Sequence, residues 1–245
     1  MATAIRLATY NIGDFSGKNL KHGTPEAMEA FHEVMQRAHA ALWALQEDAE
    51  FACEEQKIGP NEGVYRTYKH YERRFSGRYN GKAFLSDLPI RDVDQVFYTC
   101  SKERVGHRWF LRATVELGGY DVCLINVHLD WGDNFTRHEQ IAQVIAYAKQ
   151  YEYAIIMGDF NPDDFKDWEK QSTRNLMEEE VKFFTDAGFI PANAGAFGVI
   201  PTFIHGGAAI DNILVSGNMR IVAADHITMD WCNDHMPLWA DIEIE

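Results

Sequence analysis

Apolar residues in this chain fall into short blocks whose periodicity changes along the sequence, and the changes predict strands alternating with helices. A β-prone run, Ile5–Tyr10, opens the chain. Thr24-Pro25-Glu26 then reads as a helix N-terminus, with a hydroxyl cap, a proline at the first helical position and an acid in the first turn. Met28, Phe31, Met35 and Ala38 continue it at helical spacing. Ala41–Gln46 is an apolar run that ends at Glu47. The middle of the chain reads as extended over Gly63–Tyr68, Ala83–Leu85, Val93–Tyr98 and Arg108–Leu117. In the last of these, Trp109, Leu111, Ala113, Val115 and Leu117 share one face, while Arg108, Arg112, Thr114 and Glu116 share the other, the period of two of a strand. Val122–Val127 and Tyr153–Met157 are nearly all apolar, as in strands covered on both faces. Phe135–Lys149 predicts a helix with Ile141, Val144, Ile145 and Ala148 as its buried stripe. Leu176–Ala187 predicts another, closed by Gly188. Strands over Ala209–Val215, Ile221–Ala224 and Pro237–Ile244 finish the chain.

About ten strands and four or five helices, some strands joined through helices and others by meanders, predict an α/β fold of two mixed sheets packed face to face with helices outside. A length of 245 residues admits one large domain or two small ones. No Gly/Ser-rich or Pro-rich linker divides it, so residues 1–245 read as a single domain. The net charge of −14 excludes a globally basic nucleic-acid-binding surface but not a local patch. One such patch exists. Lys57–Lys82 holds seven positive and two negative residues, Arg73 and Arg74 among them, with Tyr65, Tyr68, Tyr71 and Tyr79 interleaved. It reads either as a surface for phosphates and bases or as a solvated sheet edge. Arg108 and Arg112 are candidates for contacting a phosphate or leaving group, with pairing to Glu116 or another carboxylate as the alternative. The acidic stretch Asp163–Glu180 reads as a solvated helical insertion, since it lacks an EF-hand ligand pattern. Cys53, Cys100, Cys123 and Cys232 form no CxxC pair, which fits reduced thiols in the cytoplasm better than disulfides or zinc. No apolar run reaches the ~18 residues of a membrane span, and the N-terminus has no signal-peptide pattern.

Polar residues mark six of the apolar runs. Asn11 ends the first and Glu47 the second; His128 ends Leu124–His128; Asp159 and Asn161 end the run from Ile155; Asp211 lies inside Ala209–Val215; and Asp234-His235 precede the last strand. Taken singly, most have a plain explanation: Gly-Asp-Phe-Asn-Pro is a good turn, and a carboxylate at a strand end is ordinarily solvated. Asp211 differs, because a carboxylate within an apolar strand needs a fixed hydrogen-bonding or cationic partner. A single chemistry accounts for the set. A hard divalent cation such as Mg²⁺ takes oxygen ligands, here from Glu47 and Asp234, with Asn11 as a ligand or a supporting contact. Asp159 is suited to orient a water and accept its proton, Asn161 to fix that water or a phosphate oxygen, and His128 and His235 to donate to oxygens as charge develops, with Asp211 holding His235. The set supports hydrolysis of a phosphate ester.

Tyr10-Asn11, Leu45-Gln46-Glu47, Ala83-Phe-Leu-Ser86, Asn126-Val-His128-Leu-Asp130, Gly158-Asp159-Phe-Asn161, Ile210-Asp211-Asn-Ile and Asp234-His235-Met-Pro237 occur in this order from the first strand to the last. In that order the chain resembles the endonuclease/exonuclease/phosphatase superfamily, whose folds are similar to that of deoxyribonuclease I. The resemblance implies a four-layer α/β/β/α sandwich, a Mg²⁺- or Mn²⁺-dependent site at one end of the sheets, and attack of water on phosphorus. It implies Glu47 as principal metal ligand beside Asn11 and Asp234, Asp159 at the nucleophilic water, Asn161 and His128 at the phosphate, and His235 paired with Asp211 at the transition state. Thr202-Phe203 also matches, with Thr202 supporting the site or contacting substrate. His128-Leu-Asp130 with Arg137 and Gln140 resembles a bacterial branch of metal-dependent hydrolases. Three features depart from the pattern: Tyr79-Asn-Gly-Lys82 lacks the glutamate that partners the histidine matching His128 in the nuclease branch, Asn233 replaces the usual serine before Asp-His, and Tyr10-Asn11 is followed by Ile12-Gly13 where another asparagine or a valine is commoner. The leading expectation is a phosphodiesterase of nuclease type with DNA or RNA as substrate. The alternative is an enzyme for a small metabolite, sugar phosphate or lipid headgroup. A catalytically silent binding module would have lost ligands that are present here, and a glycosidase would leave the histidines and Asn161 unexplained.

Overall fold

A computed structural model describes residues 4–13, 25–47, 66–73, 79–100, 107–162, 176–204, 207–228 and 234–244. Side-chain alternation sorts the core into layers. In β1 (Ile5–Asn11), Leu7 enters one cluster while Ala8 and Tyr10 enter a second, and in β2 (Leu42–Gln46), Leu42 and Ala44 separate from Trp43 and Leu45 in the same way. In β7 (Tyr120–His128), Leu124 joins the first cluster while Cys123, Ile125 and Val127 join a third; in β8 (Ala154–Asp159), Ile155 and Met157 separate from Ala154 and Ile156. Strands apolar on both faces must be covered on both. The second cluster is closed by α1 (Pro25–Ala38), through Phe31, Val34 and Met35. The third is closed by α2 (Asn134–Ala148) and α3 (Leu176–Asp186), through Ile141, Val144 and Phe184. The first cluster lies between the sheets, and the result is the expected α/β/β/α sandwich.

The remaining strands are β3 (Arg66–Arg73), β4 (Tyr79–Ser86), β5 (Ile90–Phe97), β6 (Trp109–Leu117), β9 (Phe189–Pro191), β10 (Asp211–Ser216), β11 (Met219–His226) and β12 (Leu238–Ile244). One sheet has the order β11-β12-β1-β2-β4-β3 and the other β5-β6-β7-β8-β10-β9. Both are mixed: β1–β2 and β7–β8 are parallel, and the other pairs are antiparallel. Among the described residues there are three helices, fewer than expected. The three-residue β9 is too short to show a period. The Thr24 cap, residues 63–65, Arg74, residues 163–175, Asn233, Cys53 and Cys232 lie outside the described residues. Neither Cys100 nor Cys123 forms a disulfide among the described residues. No described helix is long and apolar enough to cross a membrane.

The close approach of β7 to β8 depends on one glycine. Gly158 pairs with Val127 at φ +145°, and a Cβ there would lie 2.0 Å from the Val127 carbonyl oxygen. Neither that backbone nor that clash suits a side chain. Gly158→Ala is expected to lower unfolding stability by on the order of 2 kcal/mol, which urea denaturation would measure. An unchanged midpoint would show that the strands separate freely.

Candidate active site

The alternation that sorts the core also places the polar strand ends. Asn11 continues the inner face of Leu7, Gln46 that of Leu42 and Ala44, and His128 that of Leu124; Asp159 continues Ile155 and Met157, and Asp211 lies on the face of Ile213 and Val215. His128 pairs with Asp159, and Asp159 with Asp211, so a single rung across β7, β8 and β10 carries three of the expected residues. Asn11 pairs with Gln46 on the facing sheet. Beneath this rung, Gln46 Nε2 donates to Asn126 Oδ1 at 2.7 Å across the sheets. Asn126 Nδ2 donates in turn to the Leu45 and Ala83 carbonyls at 2.9 and 3.0 Å. Sequence reasoning passed over both amides; the available signal was an asparagine inside the apolar run Leu124–Val127.

Asp159 is the hub, only 1% exposed. Asn11 Nδ2 donates to its Oδ2 at 3.0 Å, and the Asn161 backbone N–H donates to its Oδ1 at 2.9 Å. His128 Nε2 lies 3.6 Å and His235 Nε2 3.7 Å from Oδ2. Glu47 comes in from the other sheet, its Oε1 3.8 Å from His128 Nε2. His235 Nδ1 lies 3.0 Å from Asp211 Oδ2. Because a carboxylate only accepts, Nδ1 carries a proton and Nε2 is turned toward Asp159. Burial pushes the Asp159 carboxyl up to about 7; the His235 charge opposes this and Asp211 adds to it. For His235, burial alone would lower the pKa, but the Asp211 carboxylate, helped by Asp159 and Asp234, overcomes that and raises it to about 10. At neutral pH the ring is therefore a cation.

The surrounding segments hold this arrangement in place. The buried Thr202 hydroxyl accepts the Ile210 and Asp211 N–H groups at 3.1 and 3.0 Å, and its carbonyl accepts Met236 N–H. Thr202 thus ties the strand of Asp211 to the segment of His235, and Phe203 bridges to His235. Its hydroxyl serves the backbone, the supporting one of its two expected roles. Glu47 and Asn161 adopt left-handed backbone, φ +55° and +44°, at a cost of roughly 1 kcal/mol each. Asn161 offsets this by donating to Asp159 and, through Nδ2, to the Leu129 carbonyl at 3.0 Å.

One of the expected arginines stands apart from this face. Arg112 lies on the opposite face of β6, donating to Asp94 at 3.0 Å. Arg108 lies 5.7 Å from the centre of the Phe97 ring. Arg73 ends β3. Asp130 Oδ1 accepts the Gly132 N–H at 2.9 Å. His107, which sequence reasoning did not select, packs edge-on against His128 with ring centroids 4.1 Å apart.

The donors fit a hard divalent cation. Glu47, Asp159 and Asp211 bring three carboxylates to one end of the sandwich, and buried Asp211 Oδ1 has no hydrogen-bond partner among the described residues. Single ligand atoms of Asp159, Asp211 and His235 lie within 4.8 Å of one another. Asn11 presents its amide nitrogen to Asp159, while its oxygen accepts the Gly13 N–H at 3.1 Å. Asp234 is exposed.

The sequence pattern of the Endonuclease/Exonuclease/phosphatase family matches residues 8–228. No curated protein matches. Among solved structures, an endonuclease/exonuclease/phosphatase family protein from Leptotrichia buccalis is 15% identical, with a TM-score of 0.69 over 99% of this chain and 100% of its own. The human Nocturnin catalytic domain with bound sulfate is 15% identical, with a TM-score of 0.69 over 99% of this chain and 94% of its own. An AP endonuclease from Archaeoglobus fulgidus is 17% identical, with a TM-score of 0.62 over 96% and 98%.

Proposed function

This chain belongs to the Endonuclease/Exonuclease/phosphatase family, and from that premise we propose that it is a divalent-metal-dependent phosphodiesterase of nuclease type, formed as one catalytic domain. The observation that carries the reading is the rung His128–Asp159–Asp211, with His235 held by Asp211 and Glu47 facing it from the other sheet. Glu47 and Asp234, with Asn11 beside them, would hold Mg²⁺ or Mn²⁺. Bound there, the ion neutralises charge on the phosphate oxygens. Asp159 accepts the proton of a water whose oxygen attacks phosphorus. Asn11 and the Asn161 N–H fix that carboxylate, one on each oxygen. His235 donates through Nε2 to an oxygen that gains charge as the new P–O bond forms and the ester P–O bond breaks. Asn161 and His128 contact the phosphate.

Likeness to an AP endonuclease supports a nucleic-acid substrate, for which Arg73 and Arg74 of the basic segment, with Arg108, are the proposed backbone contacts. Four widely spaced cysteines with no CxxC pair are in keeping with a cytoplasmic setting. A substrate panel tests the reading: bis-p-nitrophenyl phosphate, p-nitrophenyl phosphate, DNA and RNA, each with Mg²⁺, Mn²⁺ or EDTA. Diesters are expected to be hydrolysed with either metal and not in EDTA. Inertness across the panel, or undiminished turnover in EDTA, removes the proposal.

A further inference from the structure

We propose that His107 is a positioning residue for the phosphate-contacting pair His128 and Asn161, an inference that rests on the phosphodiesterase reading above. His107 lies just ahead of β6 and is 5% exposed. Its ring stands against that of His128 at 4.1 Å and an interplanar angle of 72°. Its Nδ1 lies 3.1 Å from the Leu129 carbonyl oxygen and 3.3 Å from that of His128. Both partners are carbonyls and accept only, so Nδ1 carries the proton and donates. The Leu129 carbonyl also accepts Asn161 Nδ2 at 3.0 Å. One carbonyl oxygen, with its two lone pairs, therefore joins His107 to Asn161, while the His107 ring buttresses His128.

His107 is itself anchored from the helix layer. Gln140 Nε2 donates to the His107 carbonyl at 2.7 Å, and Gln140 Oε1 accepts the Asp130 N–H at 2.8 Å. Arg137 Nη1 donates to the Asp130 carbonyl at 3.0 Å and Nε to Glu180 at 3.0 Å. The chain of bonds runs from α2 through His107 to the backbone turn at residues 128–130 and on to Asn161. Side chains that must hold a reacting group within a fraction of an ångström need such support. A buried histidine that served only to fill space would leave the Leu129 carbonyl to Asn161 alone.

Two variants separate positioning from packing. His107→Phe keeps the ring volume and loses the donor; His107→Asn keeps a donor near the Nδ1 position and loses the volume. Positioning predicts that His107→Phe lowers kcat ~10–100-fold with KM within about threefold, and that His107→Asn stays within about fivefold of wild type. The reverse order, or a His107→Phe enzyme with kcat within about threefold of wild type, means packing alone and overturns the proposal. A measurement on the wild-type protein without metal needs no variant to fold. Long-range ¹H–¹⁵N correlation of the imidazoles should show Nδ1 of His107 protonated; an unprotonated Nδ1 overturns the proposal whatever the kinetics. A wild-type protein inert toward every phosphate ester would instead defeat the phosphodiesterase reading and leave the tautomer result standing.

Discussion

Asp159→Asn is expected to lower kcat at least ~100-fold while leaving the metal-free protein no less stable at neutral pH. The kinetic half follows from its place: an amide cannot take a proton from water, and a positioned base contributes ~10²–10⁴-fold. Only one oxygen would then remain for two donors, Asn11 Nδ2 and the Asn161 N–H. The stability half follows from the sign of its titration. Burial raises Asp159 from 3.8 to about 7, so the folded state holds this proton more tightly than the unfolded chain does. The stability associated with that proton is fully present below about pH 3.8 and is lost as pH rises through about 7. At neutral pH the wild type carries this loss and the amide does not. Urea titrations in EDTA at pH 5 and pH 7.5, run beside single-turnover kinetics, would measure both halves. Retained turnover would remove Asp159 from the chemistry. A clear loss of stability at neutral pH would mean that its hydrogen bonds outweigh its desolvation.

His235→Ala is expected to cost ~10²–10³-fold in kcat, the range for losing one donor to a developing oxyanion. Its pH behaviour is opposite in sense. The ring is raised from 6.5 to about 10, so the stability it contributes is complete below about pH 6.5 and declines as pH rises through about 10. The stability gap between wild type and His235→Ala in EDTA should therefore be widest at pH 6 and narrow toward pH 10. Wild-type activity should fall on the alkaline side as the imidazolium loses its proton, and this limb should be missing from the variant. Asp211→Asn keeps an acceptor for Nδ1 but removes the charge that sustains the cation, so its alkaline limb should move to lower pH. An unmoved limb would mean that another group titrates there.

The sequence showed the ends of the strands more clearly than their partners. Asn11, Glu47, His128, Asp159 and Asp211 were legible because each interrupts or ends an apolar run, and strand parity then carries the inner-face residues to one end of the sandwich. His235 was legible as a partner for Asp211, since a carboxylate inside a strand demands one. Arg112 was less legible, because period-two alternation tells which residues share a face but not which face meets the other sheet. Arg112 lies on the helix-covered side with Phe110, while Trp109 and Leu111 face inward. Thr202 enters through the family resemblance, but its two backbone bonds depend on residues eight and nine positions away. His107 carries no local signal at all; its partners, His128, Leu129 and Gln140, arrive from β7 and α2.

The Gln46–Asn126 bond spans the gap between the sheets directly under the reacting groups. Asn11 and Glu47 belong to one slab, and His128, Asp159 and Asp211 to the other. The thickness of the sandwich is thus a catalytic coordinate, set by every interleaved side chain between the slabs. A methylene lost or gained there changes the distance from Glu47 to His128 without touching either residue. Selection on turnover would therefore weigh interior substitutions that leave folding adequate, so the hydrophobic filling of this protein should evolve under the constraints of an active site.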